Sequence, residues 1–117
     1  MQSIKSIQYQ GKAINFSFHN GALAYMRGLG YVIDLKNNPL ESLECPIDEY
    51  LADFLLCSSK FYARKDPNFD YDRNDAFDWM DIMGGLKPVA EIFGDTLRGG
   101  IPIPNELTPP KSNDKKK

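Results

Sequence analysis

Near the start of the chain, apolar residues recur at every second position and then change to helical spacing. Ile7 and Tyr9 alternate with polar neighbours, Gln10-Gly11-Lys12 interrupts, and Ile14, Phe16 and Phe18 resume the alternation. Period two puts each set on one face of a strand, and a glycine at the interruption suits a tight reversal, so a β-hairpin is expected. From Asn20 the period lengthens. Ala22, Tyr25, Met26 and Leu29 share one helical face, Asn20 offers a capping side chain, and Gly30 offers a stop.

An irregular connection follows over residues 31–45, with Asn37-Asn38-Pro39 inside it and one short helical turn expected at 40–44. The strongest helical pattern in the chain spans 46–64. Ile47, Tyr50, Leu51, Phe54, Leu55, Ser58, Phe61 and Tyr62 keep the i, i+3, i+4, i+7 rule. Asp48 and Glu49 complement the positive end of the helix dipole, and Lys60, Arg64 and Lys65 the negative end. A second strip, Ala52, Leu56, Ser59 and Ala63, recurs on the side away from this stripe. Small residues around one leucine allow a second helix to approach closely, either within the chain or from another subunit.

Residues 66–71 read as a loop. Asp72 caps the next helix with Asp75 at the reach-back position, and Phe77, Trp79, Met80, Ile82 and Met83 supply its apolar residues before Gly84-Gly85. A last helix over 86–97 presents Val89, Ile92, Phe93 and Leu97 and ends at Gly99-Gly100. The expected fold class is α+β: a mostly helical single domain, residues 1–98, with an N-terminal hairpin. Residues 99–117 are expected to be a flexible tail. Its four prolines and charged ending cannot bury enough apolar surface to offset the entropy of ordering.

Composition narrows the function classes. The 117 residues carry a net charge of −2, which argues against the phosphate backbone of a nucleic acid as the main partner. No apolar run approaches the ~20 residues of a membrane span, and Met1-Gln2-Ser3 opens no signal peptide, so a cytoplasmic location is expected. On one helix Cys45 and Cys57 would stand roughly 18 Å apart along the axis. Disulfide geometry needs Cα atoms within about 7 Å, so both are expected to be thiols.

One stretch imitates a metal site. Asp66, Asn68, Asp70, Asp72 and Asn74 occupy alternate positions between two helices, as oxygen ligands do in a calcium loop. Tyr71 stands where glycine makes the sharp turn, and Phe77 where a bidentate glutamate closes the site. Turn and cap chemistry explains the same residues, and no bound metal or cofactor is expected. His19, the only histidine, has no partners for a metal cluster or catalytic dyad, and Cys57 has no histidine beside it in sequence to activate it. Gly28-Leu29-Gly30 follows a helix instead of joining a strand to one, which excludes a phosphate loop. Asp75, Asp78 and Asp81 stack on one helical face, where like charges repel and solvent is the natural neighbour. No catalytic residues are expected, and an enzyme is not.

The order of these segments resembles the tail assembly chaperones of long-tailed bacteriophages. The matching runs are Ile7-Gln-Tyr-Gln-Gly-Lys-Ala-Ile-Asn-Phe-Ser-Phe, Asn20-Gly-Ala-Leu-Ala-Tyr-Met-Arg and Ile47-Asp-Glu-Tyr-Leu-Ala-Asp-Phe-Leu-Leu-Cys-Ser-Ser-Lys. A fourth, Asn68-Phe-Asp-Tyr-Asp-Arg-Asn-Asp-Ala-Phe-Asp-Trp-Met-Asp, is similar to the family's capped acidic helix, and the likeness spans about residues 4–98. The resemblance implies a protein of the infected bacterium's cytoplasm, absent from the finished virion. It implies binding to the long apolar tape measure protein, recruitment of tail tube protein, and the shorter of two frameshift-related forms. A homo-oligomer is expected. The candidate contacts are Ala52, Leu56, Ser59 and Ala63, together with Trp79, Met80 and Met83. The alternatives are a small calcium-binding helix–loop–helix module and a minor structural or head–tail joining protein of the same phage.

Overall fold

Gln10 and Gly11 both take positive φ, 51° and 79°, which gives a two-residue turn whose twist matches that of its flanking strands. β1 (Ser6–Tyr9) and β2 (Lys12–Asn15) pair antiparallel across it, with Ile7 opposite Ile14 and Tyr9 opposite Lys12. The computed structural model describes residues 6–33 and 45–99. The turn expected at 40–44 and the tail expected from residue 100 onward lie outside them.

Ile7, Tyr9 and Ile14 turn one face of the hairpin inward, as their spacing requires. The ladder stops at Asn15, earlier than the alternation suggests. Phe16 and Phe18 continue the parity as an extended segment, stacked on each other with ring centroids 5.4 Å apart, and Ser17 donates its backbone N–H to the Ser58 carbonyl at 3.0 Å. Strand pairing is thus exchanged for a bond to a helix. α1 (Asn20–Gly28) begins at once, with His19 and not Asn20 in the capping position and no side-chain cap bond. Its buried face is Ala22, Leu23 and Met26, whereas the expected Leu29 is exposed just past the last turn.

α2 (Ile47–Tyr62) is the centre of the molecule and packs against α1, α3 and α4. Neighbours on several sides bury more than one stripe: Tyr50, Leu51, Ala52, Asp53, Phe54 and Leu55 are consecutive buried residues. Ile47 and Tyr62, assigned to the stripe by periodicity, are exposed at the two ends of the helix. Gly21 of α1 lies against the Phe61 ring so closely that any Cβ there would fall into it, and this sets how near the two helices come.

α3 (Arg73–Met83) starts with the full capping box. The Asp72 side chain accepts from the Asp75 N–H, and the Asp75 side chain accepts from the Asp72 N–H. Ile82, expected on its apolar side, is exposed. α4 (Leu86–Gly99) runs two residues beyond its expected end and buries Val89, Ile92, Phe93 and Leu97. The core joining these elements is aromatic. Phe54 lies 5.6 Å from Phe18 and 5.0 Å from Phe93, centroid to centroid, and Trp79 stands edge-on to Tyr9, Phe16 and Tyr71. The architecture is α+β, four helices and one N-terminal antiparallel hairpin among the described residues.

Candidate functional site

A two-residue turn fixes which backbone groups the hairpin uses. Tyr9 and Lys12 flank the turn as a hydrogen-bonded pair, so Ile7 and Ile14 are the next such pair, and Gln8–Ala13 and Ser6–Asn15 lie between them. The N–H and C=O groups of Ala13 and Asn15 therefore point away from β1, along the same outer edge from which Ser17 reaches Ser58. Among the described residues no strand pairs with this edge, and no backbone bond outside the hairpin uses Ala13 or Asn15.

The Ser17–Ser58 bond pins the far end of the edge to α2, and from there strand and helix diverge. Between them lies a half-open groove of about 510 Å³. One wall is Lys12, Ala13, Ile14 and Asn15. The other is Ser59, Tyr62 and Ala63 from the last turns of α2, with Lys65, Asp66, Asn68, Phe69 and Tyr71 of the following loop. The loop holds its shape through its own side chains: Asp66 accepts from the Asn68 N–H at 2.9 Å, and the Phe69 and Tyr71 rings meet edge-on at 5.3 Å. Small residues at 59 and 63 leave room beside the strand that a leucine or a phenylalanine would fill.

The structure divides the residues singled out in the sequence. Ser59 and Ala63 line the groove, but Ala52 and Ser59 are buried within the chain itself, and Leu56 and Ala63 are half-buried. The strip is thus mostly covered by the protein's own elements and is not a face held open for another subunit. Trp79, Met80 and Met83 belong to the core and present no surface to a client. Of the five loop residues with calcium-like spacing, Asp66 and Asp72 hold backbone N–H groups, and Asp70 and Asn74 are exposed. Among the described residues no three acidic, histidine or cysteine side chains come together in a way that would hold a metal ion. Both cysteines are free thiols, and burial pushes the Cys57 thiol up to about 12, away from the reactive thiolate.

Two polar contacts were not legible beforehand. Asp53 is 4% exposed in the middle of α2. Arg73, the first residue of α3, grips it with two hydrogen bonds of 2.9 and 2.8 Å, and the Tyr31 hydroxyl donates to it at 2.5 Å. Arg73 also lies 3.4 Å from Glu49. The bonds to Asp53 hold the guanidinium protonated more firmly than usual, and burial with the Asp53 bond raises Tyr31. The available signal was a lone acid inside an apolar helical stripe, which demands a partner. The second contact joins Tyr9 of β1 to α3, its hydroxyl standing 2.8 Å from both Asp75 and Asp78. Hydrogen bonds to Asp78 and Asp75 raise Tyr9 above the ordinary tyrosine range.

Neither contact lies in the groove, and both tie secondary elements together. The groove is a place where a polypeptide could be bound, with strand-edge groups that no described backbone group uses on one wall and apolar and small side chains on the other. No described helix is long and apolar enough to cross a membrane. Compared with protein-family models, curated proteins and solved structures, the chain finds no match in any of the three.

Proposed function

We propose that this protein is a phage tail assembly chaperone, a non-catalytic cytoplasmic factor that keeps the tape measure protein soluble and brings tail tube subunits to it. The observation that carries the reading is the correspondence of segments with elements. The four runs that resemble the family fall on the hairpin with its Phe16–Phe18 extension, on α1, on α2, and on α3 with its cap, in the same order. The groove beside β2 adds a docking surface of the kind a polypeptide-binding protein needs, with backbone groups that bind without regard to side-chain sequence. Its net negative charge helps to keep a loaded complex soluble.

The test is co-expression with a tape measure fragment that is insoluble alone. The fragment should remain in the soluble fraction and be retained with the affinity-tagged protein. A fragment that stays insoluble beside well-expressed, folded protein would sink the reading. Recovery of the protein from purified virions would favour the structural alternative.

A further inference from the structure

α3 and α4 meet at a corner made of two glycines. Gly84 and Gly85 both take positive φ, 111° and 105°, a region that L side chains rarely enter. The Gly85 N–H donates to the Met80 carbonyl at 2.9 Å and the Gly84 N–H to the Asp81 carbonyl at 3.1 Å, the paired bonds of a Schellman stop. Pro88 follows inside the first turn of α4, where a backbone N–H would have no helical acceptor, so its missing donor costs nothing there. Its ring lies against the corner: a Cβ on Gly84 would stand 3.2 Å from Pro88 Cγ.

These three residues exclude one other path, a single helix from Arg73 to Gly99. In it Pro88 would leave the Gly84 carbonyl, four residues earlier, without its donor and press its ring into that carbonyl. The glycines are poor helix formers besides. The residues that flank the corner, Ile82, Met83, Leu86 and Lys87, are already helical. The fused helix would be about 40 Å long at 1.5 Å per residue. α3 would keep its buried stripe, Ala76 to Met83, on its own chain, while that of α4, Val89 to Leu97, would lie about 120° round the axis at 3.6 residues per turn. One core cannot cover both stripes. α4 would leave the rings of Tyr50 and Phe54, which Phe93 now meets at 5.4 and 5.0 Å. The vacated face of α2 is shaped for that same stripe, and a second copy carries it.

We propose that Gly84, Gly85 and Pro88 form a lock that keeps α4 on its own chain, and that opening it lets two copies exchange α4 reciprocally. The glycines hold the reversal, and the proline forbids the straight path. Reciprocal exchange closes on itself, so the product is a dimer with each α4 on the other copy's α2. The contacts of α4 with α2 are repeated in it, and the corner is what changes. The test needs no client, so its failure and that of the chaperone reading can be told apart.

The experiment refolds full-length chains at high concentration, dilutes them, and follows sedimentation. The triple variant Gly84→Ala, Gly85→Ala, Pro88→Ala should give a dimer that persists after dilution, because separation requires α4 to leave the other copy's core. Wild type treated in the same way should give no such dimer. Pro88→Ala alone keeps the Schellman stop and should sediment as wild type. Amide exchange reads the corner directly. In wild type the Leu86 and Lys87 N–H groups open α4 and have no helical acceptor. In the trapped dimer they donate to the Ile82 and Met83 carbonyls and should exchange at least about tenfold more slowly. A triple variant that is monomeric after dilution, folded or unfolded, would overturn the proposal. So would a persistent dimer whose Leu86 and Lys87 exchange as in wild type, or a wild type that yields the same persistent dimer.

Discussion

The protein contains two tyrosine–aspartate contacts built to opposite specifications. At Asp53 one buried carboxylate receives two hydrogen bonds from Arg73 and one from Tyr31, so its charge is balanced and its lone pairs are used. At Tyr9 a single hydroxyl proton faces two carboxylates, Asp75 and Asp78, each 2.8 Å away. One proton cannot be donated fully to both, and among the described residues no salt bridge reaches either acid. The difference follows from location. Asp53 is sealed from water and needs a cation, whereas Asp78 is exposed and Asp75 half-buried, so solvent supplies what Tyr9 does not. The first contact is expected to hold the fold together, and the second to orient the hairpin on α3 at little cost when it is lost.

The largest effect should come from alkali, which attacks both contacts together. Tyr9 and Tyr31 are raised by their aspartates and by burial, and burial pushes Tyr50 and Cys57 up to about 12. The folded state holds these protons more tightly than the unfolded chain. Their stabilisation is therefore complete below the ordinary values of 9 for cysteine and 10 for tyrosine, and it disappears as the pH climbs through about 12. Circular dichroism should show cooperative unfolding within that window, with tyrosinate absorbance rising in step. Tyrosinate forming fully near pH 10 with the helices intact would contradict the burial described.

Next in size is Arg73→Met. It strands Asp53 in a site with only Tyr31 to serve it, and urea denaturation should show a loss of roughly 2–3 kcal/mol, below the largest buried-pair effects because Arg73 is half in water. A loss under about 0.5 kcal/mol would mean that water already reaches Asp53.

The two tyrosines then separate the contacts directly. Tyr31→Phe should cost about 1 kcal/mol, and Tyr9→Phe, which keeps the ring against Trp79 and returns both acids to solvent, about 0.5 kcal/mol or less. Equal losses would erase the distinction. Smallest of all, Asp78→Asn should leave stability unchanged or raise it by up to about 0.5 kcal/mol, since it removes one of two like charges beside a single donor. Thermal melts at pH 7 of this variant and wild type check it, and a loss above about 1 kcal/mol would contradict it.

The sequence by itself determined the local structure. Period-two spacing, a Gln10-Gly11 turn and the Asp72/Asp75 pair specify a hairpin and a capped helix through contacts only a few residues apart, and such contacts are the same in any surroundings. It also determined that Phe54 and Phe93 are core, because an apolar residue at the middle of a stripe has nowhere else to go. Tertiary structure decided what depends on neighbours remote in sequence. Leu29, Ile47, Tyr62 and Ile82 obey the helical period but lie where no described element covers them, and Ala52 and Ser59 are buried because α2 is enclosed on more than one side. Asp53 finds Arg73 only when α3 folds back across α2, 20 residues later. The groove beside β2 has no sequence signature at all. It exists because one backbone bond, from Ser17 to Ser58, pins a strand edge to a helix at one end and leaves the other end open.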